Sequence, residues 1–92
     1  MKTSNKFKSV WDALEDDPVK AENMKLRSAL HIAISEELKN RKLTQTEAAS
    51  ILGISQPRVS TLLKGNIESF RLDSLVNMAH RLGLHVSMRI AA

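Results

Sequence analysis

The sequence predicts a small all-α helix bundle closed by one short C-terminal β-strand. Three observations carry this expectation. Apolar residues recur at helical spacing through the middle of the chain. Gly53, Gly65 and Gly83 stand just past the ends of such runs, where a helix has to stop. Beyond Gly83 the period falls to two: Leu84, Val86, Met88 and Ile90 alternate with His85, Ser87 and Arg89. The 92 residues suffice for one domain with a modest core.

The elements follow in order. Residues 1–8 are polar, carry Lys2, Lys6 and Lys8 and show no apolar period, so they read as a mobile basic tail. Residues 9–17 read as a short acidic amphipathic helix opened by a capping arrangement at Ser9 and Asp12 and holding Val10, Trp11 and Leu14. Asp17 and Pro18 then cap and start a long helix that runs to about Arg41. Its core stripe is Leu26, Ala29, Leu30, Ala33, Ile34 and Leu38.

Thr44 to Gly65, TQTEAASILGISQPRVSTLLKG, is the most informative stretch. Thr44 and Glu47 have capping-box spacing, and Ala48, Ala49, Ile51 and Leu52 form one apolar face behind them. Ala49 falls mid-way along this helix, where two crossing helices need a small side chain. Gly53 permits a sharp turn. Ser55 caps a second helix, with Pro57 in its first turn, Val59, Leu62 and Leu63 on the buried side and Gly65 at its end. Two short helices joined by a tight turn, the second with exposed hydrogen-bonding side chains, are the pattern of a DNA-reading helix-turn-helix. A loop runs from Asn66 to Arg71, and a last helix covers about Leu72 to Leu82, with Leu72, Leu75, Val76, Ala79 and Leu82 inward. Residues 18–83 thus make the bundle and 84–92 the strand.

Composition narrows the function classes. There is no cysteine, so disulfides and thiolate metal sites are excluded. No apolar run is long enough for a membrane span or a secretory core, so the cytoplasm is the expected compartment. The formal charge of +4 mildly favours an anionic partner. Lys39, Arg41, Lys42, Arg58 and Lys64 face only Glu47 between residues 39 and 64, which concentrates the surplus on the helix-turn-helix and its approach. His31, His80 and His85 lack metal-ligand spacing and read as surface or helix-side residues, and the methionines read as core filler. No nucleophile–base pair is evident, so neither an enzyme nor a cofactor is expected.

On the second helix of the motif, Gln56, Arg58, Ser60 and Thr61 are the candidate base readers. Arg suits guanine and Gln suits adenine in bidentate geometry. Gln45, Thr46, Lys64 and Asn66 are the candidate phosphate contacts. The bland alternative is a solvated helix face. Trp11 either folds back onto the core or, with Leu14, anchors a protein partner. A lone strand cannot satisfy its own edge, so Leu84, Val86, Met88 and Ile90 are expected to pair with the same segment of a second copy about a two-fold axis.

The span from Gln45 to Leu63 resembles the helix-turn-helix of the lambda-repressor-like (XRE, Cro/cI) family. The matching residues are the small Ala49, the turn residue Gly53 and the apolar Ala48, Leu52, Ile54, Val59 and Leu62. More narrowly, the SVWDAL opening, the run GNIESFRLDSLVNMAHRLG and the closing HVSMRI resemble HigA-type antitoxins of type II toxin–antitoxin pairs. Arg71 departs from that pattern, which often has Ser or Thr as a helix cap there. The resemblance implies a lambda-repressor-like bundle in which Gln45, Gln56, Arg58, Thr61 and Lys64 face DNA. It also implies a homodimeric, autoregulating repressor that binds an inverted-repeat operator and neutralises a RelE/HigB-like toxin. A stand-alone phage-type repressor and a protein-interaction module on the same bundle are the alternatives.

Overall fold

The computed structural model describes residues 17–92. The expected basic tail, and the acidic segment with Trp11 and Leu14, lie outside the described residues. Four α-helices follow: α1 (Pro18–Asn40), α2 (Gln45–Leu52), α3 (Gln56–Leu63) and α4 (Leu72–Arg81). A 3-10 turn at Ile67–Ser69, in the stretch expected to be plain loop, leads into α4. α1 packs chiefly on α4, and α2 on α3.

The helix starts obey the capping chemistry written in the sequence. The Asp17 carboxylate accepts from the Lys20 amide at 3.2 Å. Both arms of the Thr44–Glu47 box close: the Glu47 amide donates to Thr44 Oγ1 at 3.1 Å, and the Thr44 amide donates to Glu47 Oε1 at 2.9 Å. Ser55 Oγ accepts from the Arg58 amide at 3.3 Å. Arg71 occupies the cap position of α4 and makes no side-chain cap bond. Asp73 in the first turn sets a negative charge near the positive end of that helix dipole.

All four helices end the same way. The amides of Leu43, Ile54, Asn66 and Leu84 reach back to the carbonyls of Leu38, Ala49, Thr61 and Ala79, at 3.4, 3.1, 3.3 and 2.9 Å. The residue before each donor is left-handed: Lys42 (φ 55), Gly53 (φ 72), Gly65 (φ 83) and Gly83 (φ 81). Glycine marks three of these ends in the sequence. Lys42 takes the same conformation with a side chain and is the only non-glycine among the described residues with positive φ.

The core is Ile34 and Leu38 from α1, Ala48 and Leu52 from α2, Val59 and Leu62 from α3, Leu75, Met78 and Ala79 from α4, with Phe70 and Leu82. Several expectations are corrected here. Leu26, Ala29 and Ala33 are exposed, and Leu30 is half-buried. At 1.5 Å per residue, α1 is about twice as long as α4, so α4 leaves Leu26 uncovered, and Ala29 and Ala33 sit about 100° around α1 from Leu30 and Ile34. Leu63 is 45% exposed because Val59 and Leu62 already fill the inward side of α3. On α4, Met78 rather than Val76 joins Leu75, Ala79 and Leu82, completing an i, i+3, i+4, i+7 set. Phe70, not assigned to the core by periodicity, is among the largest fully buried side chains.

Two side chains tie distant helix ends together. His31 Nε2 lies 2.7 Å from the Leu62 carbonyl and donates to it, fastening the C-terminal end of α3 to α1. It is half-buried on the side of α1, the helix-side of the two placements expected. Arg41 Nη2 donates to the Leu82 carbonyl while its Nε pairs with Glu37 at 2.8 Å, so α1 caps the end of α4.

The C-terminal strand, expected to form across two copies, is absent from one copy. Residues 84–92 form no strand, and the described residues hold none. A strand needs a partner edge, which one copy of this segment does not offer itself. Leu84 packs on the core, whereas Val86, Met88 and Ile90 are exposed. No helix among the described residues is long and apolar enough to cross a membrane.

The left-handed ends yield paired stability predictions. A Cβ at Gly53 would be strained at φ 72 and would sit 3.0 Å from Arg81 Cζ. Gly53→Ala is therefore expected to lower stability by about 1–2 kcal/mol. Lys42→Gly is expected to raise it by about 0.5 kcal/mol, because relief of the left-handed strain exceeds the added freedom of the unfolded chain. Urea melts of both variants check the opposite signs, and a destabilised Lys42→Gly would contradict this account of the α1 end.

Candidate nucleic-acid interface

α2 and α3 present one continuous polar surface around the Gly53 turn. Thr44 to Thr46 open α2 and are exposed, as are Gln56 and Pro57 at the start of α3. The two helices are joined by their first turns: Gln56 Nε2 donates to Thr46 Oγ1 at 2.9 Å. This bond orients the Gln56 amide and leaves its carbonyl oxygen, with the second N–H, for another partner. The free amides at the start of α2 add donors suited to an anion beside Gln45 and Thr46.

The α3 candidates separate by angle. Successive residues advance about 100° around a helix. With Val59 and Leu62 inward, Pro57, Ser60, Thr61 and Lys64 fall on the opposite side. Ser60 and Thr61 are half-buried, and Lys64 is exposed. Thr61 Oγ1 donates to the Pro57 carbonyl at 3.0 Å, which turns its methyl and a lone pair outward. Asn66 follows Gly65 and is exposed.

Arg58 does not share that face. It lies on the flank of α3 next to the buried side, half-buried, with its guanidinium carbon 4.0 Å from the Phe70 ring centroid. Its Nη2 donates to the Ser69 carbonyl at 3.0 Å. Arg41 is likewise engaged at the end of α4. Of the five cations counted toward the interface from the sequence, Lys39, Lys42 and Lys64 are exposed and in no ion pair among the described residues. The structure therefore groups Ser60, Thr61 and Lys64 on one side of α3, links Gln56 to Thr46, leaves Gln45 and Asn66 exposed and ties Arg58 to the Ser69 carbonyl.

Sequence reasoning missed the supporting residues His31, Ser69 and Phe70. For Phe70 a signal existed: it is the only aromatic residue between 17 and 92. The bond from His31 joins residues 31 apart and has no local signature.

The comparisons agree with this geometry. A family model described as a helix-turn-helix domain matches residues 13–91. A solved chain named as an XRE family transcriptional regulator superposes with a TM-score of 0.73 at 30% identity, over 78% of this chain and 81% of that one. No curated protein matches the sequence. The polar face built on two capped helices, the family match along most of the chain and the superposition converge, and the protein belongs to the XRE family of helix-turn-helix DNA-binding transcription regulators.

Proposed function

We propose that this chain is a sequence-specific repressor that binds an inverted-repeat operator as a homodimer. The observation that carries the proposal is the Gln56–Thr46 bond at 2.9 Å, which holds the first side chain of α3 at the point where both helix starts meet solvent. Gln56, Ser60 and Thr61 are the base-facing residues; Gln45, Thr46, Lys64 and Asn66 meet phosphates. The polar face supports a docking with the N-terminal end of α3 in the major groove. Phosphate contacts then supply much of the affinity and a steep salt dependence.

The dimer assignment rests on the exposed apolar side chains of Val86, Met88 and Ile90, at 43%, 80% and 85%. Paired antiparallel with a second copy, Leu84, Val86, Met88 and Ile90 bury these side chains and satisfy both backbone edges. Two copies would set their α3 helices roughly 34 Å apart, one turn of duplex.

The finer role is that of an autoregulating antitoxin acting in the cytoplasm. Its support is the resemblance of the SVWDAL opening, the Gly65–Gly83 run and the HVSMRI close to HigA-type chains. A RelE/HigB-like toxin is the partner, and the acidic segment with Trp11 and Leu14 is the surface offered to it.

Three measurements test these readings. After selection of a preferred duplex from a random library, Gln56→Ala is expected to cost about 1–3 kcal/mol on that site and to relax preference at one base pair. Lys64→Ala is expected to weaken all duplexes alike and to lower the salt slope by about 1. Equal losses for Gln56→Ala on selected and random DNA would remove it from base reading. Deletion of residues 85–92 is expected to yield a monomer by light scattering, and a persisting dimer would refute pairing through this segment. Co-expression with a toxin encoded beside it is expected to restore growth, with rescue weakened by Trp11→Ala; full toxicity in the presence of the intact chain would end the antitoxin reading.

A further inference from the structure

The placement of Arg58 points to a task other than reading bases. Its guanidinium is laid over the buried Phe70 ring, and Nη2 donates to the Ser69 carbonyl. Ser69 passes the constraint on: its Oγ donates to the Asn66 carbonyl at 2.9 Å. Asn66 in turn is fixed to α3 from the other side by its amide, which donates to the Thr61 carbonyl at 3.3 Å. A chain of bonds therefore runs from α3 through Arg58 and Ser69 to Asn66 and back to α3. Phe70, 1% exposed, anchors this loop in the core.

A flexible Arg on the open face of a recognition helix would have its donors in water or on a ligand. Here one donor and the cation's flat face are already satisfied within the chain. Moving the guanidinium outward would break both contacts and free the Ser69 carbonyl. The loop 65–70 has no other side-chain bond to α3 among the described residues. Arg58 is therefore the one α3 side chain that bonds to this loop among the described residues.

We infer that Arg58 is a positioning residue: acting through Ser69, it holds Asn66 at the end of α3 where the DNA backbone passes, and it reads no base itself. This inference rests on the proposal above that Asn66 meets a phosphate.

The test uses the full chain and a duplex selected from a random library by the wild type. Arg58→Met keeps a long apolar stem over Phe70 and removes the hydrogen bond and charge. It is expected to weaken binding about tenfold while selecting the same motif from the library. Asn66→Ala should weaken wild-type binding severalfold, yet change the Arg58→Met variant by less than twofold, because the backbone that carries this side chain is no longer tied through Ser69 to Arg58. Ser69→Ala, a change at an exposed residue that keeps every charge, should reproduce that loss of coupling. This second variant guards against Arg58→Met failing to fold. A motif that loses one base pair in Arg58→Met would make Arg58 a reader and overturn the inference. A drop of about 1 in the salt slope from Arg58→Met alone would make it a phosphate contact and overturn it too. So would full multiplicative losses for Arg58→Met with Asn66→Ala. If the wild type selects no motif and binds no duplex, the DNA-reading proposal itself fails, an outcome distinct from these three.

Discussion

The left-handed turn at Gly53 is the constraint on which the rest of this structure depends. α2 and α3 are each eight residues long, too short to be stable alone. They persist because each is capped at its start, stopped at its end and pressed against the same small core. The turn between them holds all three conditions at once. Gly53 reverses the chain, the Ile54 amide closes on the Ala49 carbonyl, and Ile54 packs against the core cluster. Ser55 then caps α3. A shift of one residue here would rotate α3 by about 100° and carry its polar face into the core. The polar surface is thus a consequence of how α2 ends.

Where structure is set locally, the sequence is legible. The Thr44–Glu47 box, the Ser55 cap, Pro18 and Pro57 in first turns, and the glycine ends of α2, α3 and α4 all rest on contacts within a few residues. Each lies where the sequence puts it. The end of α1 was less visible because Lys42, not glycine, takes the left-handed position. Burial was only partly legible, since it depends on what covers a face. The apolar stripe of α1 is real, yet α4 covers only the part around Ile34 and Leu38. The 3-10 turn that delivers Phe70 inward is too short to leave a periodic signal.

The candidate site shows the same division. The exposure of Gln45, Thr46, Gln56 and Lys64 follows from capping and spacing alone. Arg58 was grouped with them because it is polar and lies two residues after Gln56. The angular step about the helix sets it on the core flank instead, where a long side chain meets Phe70. The engagement of Arg58 and Arg41 within the chain also bears on how the cations are used. A formal surplus counts both cations toward an anionic partner, and each already spends one guanidinium nitrogen on the Ser69 or Leu82 carbonyl. Compact cations at Lys39, Lys42 and Lys64 remain on the surface, and these act on phosphate as point charges without demanding a fixed geometry.

This split between rigid guanidinium and mobile ammonium groups has a functional logic. A planar, multiply donating cation suits a fixed internal bond, since its geometry is pre-organised and little freedom is lost per contact. A flexible lysine suits a backbone whose phosphates vary little with sequence. The two engaged arginines then tie helix ends together: Arg41 joins α1 to α4, and Arg58 joins α3 to the loop carrying Asn66. His31 adds a third tie, from α1 to the end of α3. Each of these ties ends on a backbone carbonyl, at Leu82, Ser69 and Leu62. Such bonds depend on chain path and not on the identity of the accepting side chain. The outer face can therefore change at Ser60 and Lys64, whose side chains hold no bond of this frame, without disturbing it, whereas Gln56 and Thr61 are each tied to a neighbour.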